Sequence, residues 1–259
     1  MIREGLRAAS AGPLPSGRAP ARRVALVLRR RVLHLGLLML AAGAQAAPKV
    51  EDTMAQRVLA CTGCHGPQGR AASDGYYPRI AGKPAGYLTN QLLSFRDGRR
   101  QYTLMANLLA PLTDDYLREI AAHFSRLELP YAPPQPATAG VDALTRGETL
   151  VNLGDAALRV PACIQCHGAA LMGVAPSVPA LIGMPRDYLN AQLGAWRAGS
   201  RHAMAPDCMA DVAQRLALSD ISALSQYLAA QTVPLGAKPA AALPAPLPLP
   251  CGGVPGSPK

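Results

Sequence analysis

Aromatic residues are scarce in this 259-residue chain, which has two Phe, one Trp and eight Tyr, 4% of the total. Ordinary domains of about 90 residues fill their centres with such rings, so neither half of the chain builds a well-packed core from its own side chains alone. Something other than side chains is expected in the middle. Charged residues are also few, at 16%. No segment alternates apolar and polar residues over strand length, so no strand is expected and an all-α fold follows. Long apolar runs are missing too: the most apolar stretch, VLHLGLLMLAA from Val32, is too short to span a bilayer comfortably.

The formal charge of +10 invites a nucleic-acid reading, but its position argues otherwise. Residues 1–46 carry eight Arg and one acid, and the remainder carries 18 bases against 15 acids. The basicity is that of a leader, with no basic stripe for nucleic acid. RRR at 29–31, the apolar run and AGAQAA before Pro48 are the parts of a secretory signal, with cleavage expected after Ala46 or Ala47. The alternative is an uncleaved membrane anchor. Export to a periplasm lets the six cysteines oxidise or be modified covalently.

The chain repeats itself. Residues 77–98, YPRIAGKPAGYLTNQLLSFRDG, lie over 178–199, VPALIGMPRDYLNAQLGAWRAG, at a constant offset of 101. Identical partners include Pro78, Gly82, Pro84, Tyr87, Gln91 and Gly98. Residues 105–124 lie over 209–228 at an offset of 104, so the second copy carries three extra residues between. Each copy reads as three helices joined by loops, with Pro84 and Pro185 in a first turn and Gly98 and Gly199 at an end. The proline-rich stretch 127–140 reads as a stiff, solvated linker, and 234–259 as an extended tail. The expected organisation is a signal peptide at 1–46, one domain at 48–130, a linker at 131–140, a second domain at 141–233 and the tail at 234–259.

Both copies open with Cys-x-x-Cys-His-Gly: Cys61, Cys64 and His65, then Cys163, Cys166 and His167. Cys-x-x-Cys alone also serves zinc and thiol redox sites, but zinc needs two further ligands per copy at suitable spacing, and thiol redox a strand–helix setting. Histidine directly after the second cysteine makes the motif a c-type haem attachment signal. Two thiols add to the two vinyl groups of the porphyrin, and the histidine one step on can ligate the iron. Two covalently attached haem c groups are therefore expected, and they supply the missing core. A second axial ligand is nominated by the repeat itself. Met105 and Met209 stand at matching positions, 40 and 42 residues after His65 and His167. Core filling is the ordinary use of a lone Met, and matched placement argues against it here.

With these motifs in place, the chain resembles the class I cytochromes c and, as a tandem pair, the two-haem cytochrome c4 family, over about residues 50–232. The resemblance implies two small helical domains, each wrapped around its haem. It implies that Pro78 and Pro179 offer carbonyls to His65 and His167, and that the first helix packs on the last. Gly147 against Tyr227 fits that packing in the second copy; the first copy lacks such a glycine and has His123 for the aromatic. Tyr87 and Tyr188 are expected to line the haem pockets, although packing on a helix surface would place them similarly. Met204, His202 and Cys208 in the inserted segment are rivals to Met209 for the second iron. Once haem takes four cysteines, Cys208 and Cys251 remain as an even pair in an exported chain, so a disulfide between them is expected, with two free thiols as the alternative.

Two irons closed by His and Met leave no open position for substrate, so the expected role is an exported electron carrier and not an enzyme. By family analogy the donor is a quinol-oxidising complex or a periplasmic dehydrogenase, the acceptor is a terminal oxidase, and peripheral membrane association is compatible with both. The alternatives are a cytochrome subunit of a dehydrogenase complex, a haem peroxidase, or a redox or gas sensor. Residues 48–135 hold ten bases and eight acids against six and seven in 136–235, which favours the higher potential at the first haem.

Overall fold

The computed structural model describes residues 29–33, 51–71 and 75–258. Asp52–Lys259 form one compact unit, distinct from Met1–Glu51. The expected signal peptide lies outside the described residues except for 29–33, which are helical. Among the described residues no helix is long and apolar enough to cross a membrane.

The first half of the compact unit contains α1 (Met54–Arg57), α2 (Leu59–His65), a 3-10 turn at Pro67–Gly69, α3 (Ala85–Arg96), α4 (Thr103–Leu109) and α5 (Asp114–Ser125). The second contains α6 (Val141–Asn152), α7 (Cys163–His167), α8 (Arg186–Arg197), α9 (Cys208–Arg215) and α10 (Leu218–Ala229). It also has a two-stranded hairpin, β1 (Gly173–Val174) with β2 (Val178–Pro179). Three helices per copy was therefore too few, and the absence of strands was not quite right. Met105 and Met209 each lie in a short helix of their own, too brief for apolar periodicity to reveal. The hairpin is likewise too short to alternate.

Local chemistry sets the ends of these elements. Thr113 caps α5 by accepting from the Tyr116 amide at 3.3 Å, with Asp114 and Asp115 at the positive end of the helix. Pro84 and Pro185 stand at the N-cap, one position before the first helical residue, where the missing N–H costs nothing.

Packing follows the repeat. In the first half α3 lies on α5, burying Leu88, Ile120, Ala121 and Phe124 in one cluster and Phe95, Leu109 and Leu117 in another. In the second half α10 packs on both α6 and α8, around Leu150, Val151, Leu189, Leu224 and Leu228. The α6–α10 crossing is close: a Cβ on Gly147 would stand 2.5 Å from the Ala223 carbonyl oxygen and 2.9 Å from Tyr227 Cβ. In the first half the corresponding helix is only four residues long. There Arg57 reaches α5 instead, pairing with Glu119 and lying 4.4 Å over the Tyr116 ring.

Most of the linker is exposed, as expected, yet it is fastened to the folded body. The Arg79 guanidinium lies 4.0 Å over the Tyr131 ring, the Gln135 amide donates to Ala229 O at 2.9 Å, and the Thr138 amide donates to Gln226 Oε1 at 3.0 Å. Proline supplies stiffness here, while Tyr131 and the free amides between prolines supply the contacts.

Candidate functional site

Each Cys-x-x-Cys-His segment is a short helix ending on its histidine. Gly66 and Gly168 follow with φ of 74° and 80° and ψ of 169° and 152°. That region is essentially closed to residues with a Cβ, which accounts for the glycine after each histidine. It turns the chain sharply away and leaves the imidazole facing inward. His65 and His167 are both buried.

Their Nδ1 atoms donate to Pro78 O and Pro179 O, each at 2.8 Å. A carbonyl can only accept, so the proton sits on Nδ1 and the Nε2 lone pair is left for a metal. Burial holds both imidazoles below their ordinary pKa, toward the neutral form a metal requires. Different elements hold the two carbonyls. Beside Pro78, buried Arg79 donates to Ala81 O, Leu129 O and Pro130 O at 3.0, 2.6 and 2.8 Å. Pro179 is held by the hairpin, in register with Gly173.

Cys61, Cys64, Cys163 and Cys166 are unpaired thiols, and burial pushes Cys163 up to about 12. Met105 is partly buried against Phe95, Leu109 and Leu117, and Met209 is the second residue of α9. The rivals to Met209 are otherwise placed. Met204 is 44% exposed, His202 donates from Nε2 to Gly199 O at 2.9 Å, and Cys208 is bonded to Cys251 at 2.10 Å.

Tyr87 and Tyr188 lie where the two halves meet, in a cluster the sequence reading had missed. Gln91 Oε1 accepts from Arg100 and Arg201, both at 2.9 Å, and Gln192 Oε1 accepts from the same two arginines. Arg100 also donates to Tyr188 Oη at 3.3 Å, and buried Lys83 donates to Met184 Sδ at 3.5 Å. Gln91 with Gln192, Tyr87 with Tyr188 and Arg100 with Arg201 are all pairs at the offset of 101, so the signal was present in the repeat. Burial pushes Lys83 down to about 8 and lowers Arg201, and no carboxylate of the described residues is among the charged groups acting on either. Nearby, Arg99 Nε and Trp196 Nε1 are buried donors without a partner among the described residues.

These residues fit a haem in each half. The thiol pair, the inward imidazole with its free Nε2 and the scarcity of core aromatics suit the porphyrin. The unpaired donors and uncompensated cations suit its carboxylates. Helical bundles in tandem, each with a Cys-x-x-Cys-His helix and a carbonyl-held histidine, define a two-domain class I cytochrome c.

No family model matches the sequence. The thiosulfate dehydrogenase electron acceptor of Thiomonas intermedia is 37% identical over 202 residues, 78% of this chain and 91% of that protein. Cytochrome c4 of Thiocapsa roseopersicina is 34% identical over 189 residues, 71% of this chain and 94% of that protein. Among solved structures, thiosulfate dehydrogenase from Marichromatium purpuratum superposes with a TM-score of 0.60 at 34% identity over 68% of this chain, which spans only 37% of that longer chain. Reduced recombinant cytochrome c4 from Pseudomonas stutzeri superposes with a TM-score of 0.58 at 30% identity, covering 71% of this chain and all of that one. The chain belongs to the cytochrome c4 family of di-haem c-type cytochromes. Its cofactors are two covalently attached haem c groups, and it is an electron carrier.

Proposed function

We propose that this protein is exported to the periplasm, where it takes single electrons from a sulfur-oxidising dehydrogenase of the thiosulfate dehydrogenase type and passes them to a terminal acceptor such as an oxidase. The observation that carries the two-site reading is the matched pair of histidines, each donating Nδ1–H to a proline carbonyl at 2.8 Å and leaving Nε2 for iron. When bound, each haem supplies a one-electron ferric–ferrous couple. In our reading Cys61 and Cys64 tether the first haem and Cys163 and Cys166 the second. His65 with Met105, and His167 with Met209, take the axial positions, and a thioether there favours the ferrous state. Pro78 and Pro179 fix the histidine orientation, and the cation cluster between the halves offsets the haem carboxylates. We place the domains at 48–130 and 141–233, with 131–140 as the connection between them.

The donor class rests on two relatives, 37% and 36% identical, each named as an electron acceptor of thiosulfate dehydrogenase. Oxidation of a sulfur substrate to a closed-shell product releases electrons in pairs, and two linked one-electron sites take a pair. A second reading, a stable subunit of the dehydrogenase itself, is favoured by the likeness to part of the Marichromatium chain.

The test is anaerobic mixing of the oxidised protein, carrying two haems per chain, with a thiosulfate dehydrogenase and thiosulfate. Reduction of both haems within the turnover time of the dehydrogenase is expected. Reduction only by a quinol-oxidising complex would overturn the donor assignment. Co-elution of the two proteins at nanomolar concentration would select the subunit reading over the free carrier.

A further inference from the structure

Among the described residues the tail after α10 contains no helix, yet it is fastened at several points. Ala240 bonds both to Gly173 O (2.9 Å) and from the Ala175 amide (2.8 Å), Leu247 is buried, and Cys251 is joined to Cys208. Beyond the disulfide, the Gly252 amide donates to Pro206 O at 2.9 Å. Its backbone runs so close to the 204–206 segment that a Cβ would stand 2.1 Å from Ala205 O. One residue on, Asn90 of α3 in the first half donates from Nδ2 to Gly253 O at 2.9 Å.

These contacts converge on one place. Cys208 is the first residue of α9 and Met209 the second. From inside, Asp207 secures the same turn, accepting from the Ala203 and Ala210 amides at 2.6 and 3.0 Å. The tail secures it from outside at residues 205, 206 and 208. The three residues by which the second copy exceeds the first fall between Gly199 and Met209. A longer loop in front of the ligand-bearing helix has more conformations to lose, and the fastened tail removes them. Proline in the tail lowers its own ordering cost.

We propose that the C-terminal tail is a strap that positions Met209 toward the second haem, with Cys251 and Gly252 as positioning residues and Asn90 tying the strap to the first half. This rests on Met209 being the axial ligand of that haem. With the strap released, the turn carrying Met209 samples positions in which its sulfur does not face the iron. Exogenous ligands then reach the second haem and not the first.

The test uses the full-length holoprotein as wild type, Cys208→Ser/Cys251→Ser, Gly252→Ala and, as reference, Met209→Ala. Three readouts apply: the long-wavelength charge-transfer band of methionine-ligated ferric haem, carbon monoxide binding by the reduced protein, and the two reduction potentials. In the cysteine double variant the band is expected to fall toward the share of one haem, and the lower of the two potentials to drop. Apparent carbon monoxide affinity at one haem should rise about tenfold or more, in proportion to the ligand-free fraction. Gly252→Ala, which keeps the disulfide, is expected to move all three in the same direction and stands in if the double variant fails to mature. Wild-type behaviour in both strap variants, with Met209→Ala losing the band of one haem, overturns the strap. Retention of both bands in Met209→Ala overturns the ligand assignment beneath it.

Discussion

Replacing Gln91 by Leu tests whether the junction between the halves is held by its arginine–glutamine cross. The side chains are close in volume, so packing is largely kept, but two acceptor contacts disappear, one from Arg100 and one from Arg201, each at 2.9 Å. Hydrogen bonds to charged donors contribute about 1.5–3 kcal/mol each. Arg100 is only half-buried and regains water, so its loss is small. Arg201 is 4% exposed and stacked 3.7 Å over Trp196, so without Gln91 its Nη2 edge stays dry and loses its acceptor, while Nη1 keeps Gln192. The expected cost is about 2–4 kcal/mol, most of it from Arg201. Gln91→Glu keeps the acceptor and adds a charge between two cations, so it should restore wild-type stability or exceed it at pH 7. Urea unfolding of the reduced holoprotein, followed by far-ultraviolet circular dichroism, measures both. A Gln91→Leu protein within about 0.5 kcal/mol of wild type, the range of an ordinary surface substitution, would refute the reasoning.

Gly66→Ala and Gly168→Ala should each cost about 1–3 kcal/mol through their backbone conformation, read as a lower melting temperature and fewer haems per purified chain. Gly147→Ala should destabilise the second half by about 1–3 kcal/mol, because the added methyl meets the backbone of α10, and thermal melts check it. The Leu158 amide and the Arg146 guanidinium hold the Asp155 carboxyl below its usual range. Its contribution to stability is therefore present above the unfolded pKa of about 3.9 and lost as pH falls through the folded value. Asp155→Asn should flatten that acid limb in denaturation measured from pH 6 to pH 2.

Much of this was legible because the chain states it twice. The offset of 101 aligned the two histidines' supporting loops, and the change to 104 marked an insertion before Met209. What escaped was short or long-range. Helices of seven and eight residues around Met105 and Met209 offer too few turns for a periodic signal. Tyr131 and Gln135 sit in a proline-rich stretch that is largely exposed, as its composition reads, and only the arrival of Arg79 and Ala229 from elsewhere gives them contacts.

The junction between the halves was the more instructive miss. Gln91 and Gln192 were visible as identical partners, but identity was read as shared fold, when these side chains serve contact between the copies. A repeat folded back on itself by an approximate two-fold relation brings equivalent residues together, so each Gln meets both its own Arg and the Arg of the other copy. Equivalent positions therefore carry two kinds of information: residues facing inward repeat because each half holds the same haem, and polar residues facing outward repeat because the halves meet there. The buried charge separates the two. Lys83, Arg100 and Arg201 converge, and no carboxylate of the described residues acts on Lys83 or Arg201, an arrangement costly in the bare polypeptide and stabilised by an anion. Haem carboxylates would supply that anion, and docking of the halves and haem loading should then stabilise each other.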